Sequence, residues 1–196
     1  MTRHVLIVVM VTLSTVALVR AQSPAQPPTA FGIGRPATPS EIAAQDIDVA
    51  PDGHGLPPGR GTAADGAATY AAKCAACHGA TGKEGPNDVL VGREPKGVFP
   101  SGREVGVRRT IVNYWPYATT VFDYIRRAMP SPAPGSLTDD EVYGLVAFLL
   151  SANEIIPVDA VMDATTLPKV VMPARDKFVV DERGGPPAKA RPRQQQ

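Results

Sequence analysis

Apolar residues fall along this chain in blocks of different period, and each block predicts an element. Val5 to Val19 form an apolar run of fifteen residues, diluted by Thr12, Ser14 and Thr15. Gly66, Tyr70 and Cys74 recur at steps of four, the spacing of one helix face, and Thr62 followed by Asp65 makes a capping pair in front of them. Phe122, Ile125 and Arg126 mark another helix. Val142, Leu145, Val146, Leu149 and Leu150 mark the last and strongest, with Thr138 and Glu141 as a capping box and Leu137 and Val142 as a hydrophobic staple. The spacing therefore predicts a helical domain over residues 61–153. Residues 22–60 hold eight prolines and five glycines and read as an irregular arm. Within the arm, residues 38–43 read as a short helix start, with Ser40 as cap and Ile42 and Ile47 as anchors onto a body, or else as plain linker. Residues 154–183 lose the periodicity and are expected to pack on the core as an extension. Residues 184–196, polar and proline-bearing, are expected to be a disordered tail.

Composition narrows this picture. A chain of 196 residues with 43% hydrophobic and 20% charged positions builds one domain of average size. Its 21 prolines and 18 glycines argue against a repeat array or a coiled coil. Twenty basic and nineteen acidic residues, with no basic run, argue against nucleic acid as a partner. Thr2-Arg3-His4 ahead of the apolar run, and Val19-Arg20-Ala21 behind it, form the pattern of an export signal cleaved after Ala21. The run is short of the about 20 residues that a spanning helix needs. The expectation is a periplasmic protein without stable membrane insertion, a retained anchor being the alternative because Arg20 sits beside the cut. Loss of Arg3 and Arg20 leaves 18 basic and 19 acidic residues, a net charge of −1.

The chain has two cysteines, and both stand in Cys74-Ala75-Ala76-Cys77-His78. Two thiols three positions apart reach the two vinyl groups of one porphyrin, and the following imidazole reaches its iron, so in an exported chain this motif predicts one covalently attached haem c. A thioredoxin-like thiol pair lacks its βαβ setting, and a zinc site lacks a second pair of ligands; a structural disulfide is the remaining alternative. A second axial ligand is expected from methionine, since His4 leaves with the signal and His54 lies in the arm. Met129, Met162 and Met172 are the choices. Between residues 113 and 120 lie Tyr114, Trp115 and Tyr117, whose N–H and O–H groups suit a haem propionate, with Arg108 or Arg109 to neutralise it. A packed aromatic cluster is the other reading.

The glycine-rich turn from Gly79 to Gly85, closed by Pro86, together with the order of haem motif, Met-Pro and terminal helix, resembles class I cytochromes c. The resemblance implies an all-α haem-wrapping fold with irregular Pro/Gly-rich extensions. It also implies that Pro86 offers its carbonyl to the ligating His78, that Met129 is the sixth ligand ahead of Met172, and that Gly66, Tyr70 and Phe148 form a helix crossing. Arg35 to Ala43, Gly55 to Gly59, the block from Tyr114 to Pro130, and Met172 to Asp176 are similar to the monohaem cytochrome subunits of Sox-type sulfite and sulfane dehydrogenases, over roughly residues 32–180. Some relatives carry two haems, whereas two cysteines attach one. The likeness implies electron transfer without catalysis, with a molybdopterin sulfite or sulfane dehydrogenase subunit as donor and a downstream cytochrome or oxidase as acceptor. The alternatives are a general periplasmic carrier, a catalytic or sensing haem with an open sixth position, and a secreted thiol oxidoreductase.

Overall fold

The structure, a computed structural model, describes residues 33–92 and 105–179. The expected export signal and the expected disordered tail lie outside the described residues. The chain divides into two compact units, residues 1–45 and 46–196.

In the first unit, helix α1 (Pro39–Gln45) starts two residues earlier than a cap at Ser40 would place it. Thr38, not Ser40, caps it: the Thr38 hydroxyl accepts the Glu41 N–H at 3.3 Å, while the Glu41 carboxylate accepts the Thr38 N–H at 2.8 Å. Proline at the first helical position, where no partner exists for an N–H, moves the cap back to Thr38. Arg35 grips the same carboxylate at 2.8 and 2.5 Å and, with the Thr38 groups, pulls its pKa down to about 2. No residue of α1 is buried, and Ile42 and Ile47, expected as anchors, are both exposed.

The second unit contains strand β1 (Arg60–Thr62), helices α2 (Ala63–Lys73), α3 (Ala75–His78), α4 (Ile111–Tyr114), α5 (Ala118–Ala128) and α6 (Asp139–Ala152), strand β2 (Val161–Asp163) and two 3-10 turns, Leu167–Lys169 and Arg175–Lys177. The all-α expectation holds apart from the antiparallel β1–β2 ribbon, in which Gly61 faces Met162. Both predicted capping boxes are present. Thr62 and Asp65 exchange bonds at the start of α2, and Thr138 and Glu141 do so at the start of α6, satisfying N–H groups that a helix leaves without partners.

Helices α2 and α6 cross at Gly66 and Gly144, where backbone meets backbone. One turn on, the rings of Tyr70 and Phe148 lie 4.9 Å apart, and Lys73 reaches Glu141 at 2.8 Å. The sequence marks one apolar face on α6, but Val142, Tyr143, Leu145, Val146, Ala147, Leu149 and Leu150 are all buried, because α2, α5 and the ribbon surround the helix. Two further segments join this core. Residues 46–60, expected in the arm, belong to the second unit: Val49 is buried, and the Tyr143 hydroxyl donates to the Pro57 carbonyl at 2.9 Å. In the C-terminal extension, Met162, Leu167, Met172 and Ala174 are buried. Among the described residues no helix is long and apolar enough to cross a membrane.

Candidate functional site

Helix α2 ends where its chemistry begins. Cys74 closes it, donating its N–H to the Tyr70 carbonyl at 2.9 Å, and the chain continues into the single turn of α3. The N–H groups of Cys77 and His78 both donate to the Cys74 carbonyl, at 3.1 and 3.0 Å, which holds both thiols and the imidazole on one turn. Both cysteines are half-buried and not joined in a disulfide. Burial pushes the Cys74 thiol up to about 11, whereas a thiol oxidoreductase needs a thiolate near neutral pH.

The following loop fixes the imidazole. Asn87 donates its N–H to the Cys77 carbonyl at 3.0 Å and so ties the loop back to α3. Gly85 lies against that same backbone: a Cβ there would sit 2.2 Å from the Cys77 oxygen, so only glycine fits. His78 Nδ1 lies 2.8 Å from the Asp88 carbonyl oxygen. A carbonyl only accepts, so Nδ1 carries the proton and Nε2 keeps its lone pair for a metal. The expected partner was the carbonyl of Pro86. The anchor at Asn87 carries the chain past Pro86, and the carbonyl presented to the ring is that of Asp88, two residues after Pro86. Pro86 lines the cavity instead. The buried Tyr70 hydroxyl donates to the Gly79 carbonyl at 2.9 Å and braces the start of the loop; burial raises its pKa to about 12.

Cys74, Cys77, His78 and Met129 all line one cavity of about 1520 Å³. This exceeds the roughly 300–1,000 Å³ of ordinary small-molecule sites. Its walls are apolar, with Leu90, Ile111, Val121, Ile125, Leu145 and Leu149, and its margin carries Arg108, Arg109, Tyr114 and Trp115. Two thiols, an imidazole with a free nitrogen, a thioether, apolar walls and a basic margin fit a porphyrin with two carboxylates. Met129 reaches the cavity from the C-cap of α5, where its N–H donates to the Ile125 carbonyl at 3.1 Å. Met162 and Met172 are buried in the core and do not line the cavity.

The aromatic block divides. Trp115 lines the cavity while packing on Tyr114 and Tyr124, with centroids 6.1 and 5.4 Å apart, so cluster and cavity wall are one feature. Arg109 stacks over the Tyr114 ring at 4.7 Å and lines the cavity as well. Tyr117 does not line it, because its ring is covered by Arg175 of the C-terminal extension, 5.3 Å away.

Asn153 was not among the expected site residues. Buried at the C-cap of α6, it accepts the Gly92 N–H at 3.0 Å and donates to the carbonyls of Leu90 and Leu149 at 3.2 and 2.8 Å. It pins the cavity loop to the terminal helix. An amide residue just after the last periodic apolar position is the sequence signal for it. Asn153→Ala is expected to cost about 2–3 kcal/mol by leaving buried backbone groups unpaired, read as a lower denaturant midpoint at unchanged slope.

Residues 61–149 match the family model described as cytochrome c oxidase, cbb3-type, subunit III. The chain is also similar to one in the crystal structure of the sulfane dehydrogenase SoxCD from Paracoccus pantotrophus, at 40% identity and a TM-score of 0.66, covering 79% of this chain and 74% of that one. No curated protein sequence matches it.

Proposed function

We propose, from the premise that this chain belongs to the class I c-type cytochromes and carries one covalently attached haem c, that it is an exported electron-transfer partner of a molybdenum sulfite or sulfane dehydrogenase. Cys74 and Cys77 would hold the porphyrin, His78 and Met129 would hold its iron, and Arg109 with Trp115 would meet the propionates. When bound, the haem supplies a one-electron ferric/ferrous couple. The residues of the chain do the rest. The Asp88 carbonyl keeps His78 in the ligating tautomer, the apolar walls exclude water, and a sulfur donor at Met129 would favour the reduced state of the iron it holds.

The observation that carries the partner is the extent of the likeness to SoxCD, which covers 79% of the chain and so runs well beyond the haem domain at 61–149. A likeness confined to that domain would fit any electron carrier. The test mixes the ferric, haem-loaded protein with a molybdenum sulfite or sulfane dehydrogenase and its substrate in a stopped-flow cell. Reduction of the haem within enzyme turnover is expected; reduction no faster than without enzyme would leave a general carrier. Export is checked by sequencing the mature amino terminus, which is expected to begin at Gln22.

A further inference from the structure

One face of α5 does not line the cavity. Thr119, Asp123 and Arg126, spaced by four and three residues, lie on that face, and each is bonded to the backbone of one extended segment. The Thr119 hydroxyl donates to the Pro51 carbonyl at 3.0 Å. Asp123 accepts the N–H of buried Val49 at 2.9 Å. Arg126 donates to the Ile47 carbonyl at 3.1 Å. Residues 47, 49 and 51 alternate, as the inward groups of an extended chain do, and each finds one helix side chain per turn. Arg127 pairs with both oxygens of Asp123, so the Val49 N–H is bonded to a fixed, charged acceptor. Arg126 also reaches Asp139 at 2.9 Å, tying the arrangement to the first turn of α6. The segment then turns back on itself, with Ala50 donating to the His54 carbonyl at 2.8 Å and Gly53 to the Ala50 carbonyl at 2.9 Å.

We infer that residues 47–51 are a strap that holds α5, and through it the Met129 sulfur, in ligating position, with Thr119, Asp123 and Arg126 as positioning residues. The inference rests on the reading of Met129 as axial ligand. Its physical basis is leverage. Met129 follows the last residue of α5, so any shift of the helix is passed to the sulfur. A thioether is a neutral donor whose bond to ferric iron opens when the sulfur is withdrawn slightly, and ligand geometry is held by the residues behind the ligand. The apolar face of α5 resists motion on one side only; the strap closes the other.

The test is the rate at which cyanide displaces the methionine from the ferric, haem-loaded full-length protein. Asp123→Ala is expected to raise that rate about tenfold, and Thr119→Val several-fold, in proportion to the hydrogen bonds lost. Thr62→Ala, which removes the cap of α2 and lowers stability elsewhere, is the control and is expected to leave the rate within about twofold of the parent. A merely structural strap would lower the unfolding midpoint in all three variants and accelerate cyanide in none. Rates for Asp123→Ala and Thr119→Val within about twofold of Thr62→Ala overturn the inference. If Asp123→Ala yields no haem-loaded protein, Thr119→Val decides by the same criterion. Failure of the ligand reading is separate: the sulfur-to-iron band would then survive Met129→Ala whatever the strap variants do.

Discussion

Gly66→Ala is expected to cost about 3 kcal/mol or more and to lower the melting temperature by roughly 10 °C. A Cβ at Gly66 would lie 1.9 Å from the Gly144 carbonyl oxygen and 2.3 Å from its carbon. Both are backbone atoms, so no rotamer change relieves the contact and α2 must move off α6. That motion would also part Tyr70 from Phe148 and Lys73 from Glu141, and shift the cysteines at the end of α2 relative to the cavity. The reciprocal change behaves differently. A Cβ at Gly144 would meet the Gly66 nitrogen at 3.0 Å and its Cα at 3.3 Å, which a shift of a few tenths of an ångström accommodates. Alanine gains about 1 kcal/mol of helix propensity over glycine. Gly144→Ala is therefore expected to change stability by no more than about 1 kcal/mol. Thermal unfolding of the two variants, followed by the helical signal of the haem-loaded protein, checks the asymmetry; equal losses would mean that the crossing is not set by these backbones.

Met129→Ala is expected to abolish the sulfur-to-iron charge-transfer band, open the iron to rapid cyanide binding and lower the reduction potential. Met129 alone among the three candidate methionines lines the cavity with His78. Met162 lies on β2 opposite Gly61, and Met172 is fully buried between the two 3-10 turns. Met162→Leu and Met172→Leu should therefore keep the band and cost less than about 1.5 kcal/mol, as volume-conserving core changes do. Visible and near-infrared spectra of the three ferric variants separate the assignments. A band that persisted in Met129→Ala and vanished in Met172→Leu would move the ligand to the extension. A high-spin parent protein that binds cyanide rapidly would replace electron transfer by a haem with an open position.

Much of the site is legible along the chain, for a reason visible in particular residues. Cys74, Cys77 and His78 fall within five positions, so one helical turn brings them together. The Thr62–Asp65 and Thr138–Glu141 boxes each close over three residues. The Met-Pro pair that follows α5 and precedes α6 is a matter of order along the chain. The expectations that shifted all depend on which distant segment arrives. Tyr117 carries the same polar ring as a cavity residue would, but Arg175, far along the chain, covers it. The His78 imidazole takes its carbonyl from Asp88 because Asn87, not Pro86, anchors the loop on Cys77. Residues 46–60 have the composition of an arm and the bonding of a core, since their partners, Thr119, Asp123, Arg126 and Tyr143, lie on helices that composition does not reveal.

The sequence by itself determined the haem motif, the helices α2, α5 and α6, the caps of α2 and α6, and the family, because helix periodicity, capping and the reach of two thiols act over a few residues and are written contiguously. Tertiary structure alone decided which glycine of the α2–α6 crossing tolerates a methyl group, which carbonyl meets the His78 imidazole, and what holds α5 from behind. Those outcomes depend on the approach of segments tens of residues apart, where a few tenths of an ångström separate contact from clash and a single hydrogen bond selects the neighbour.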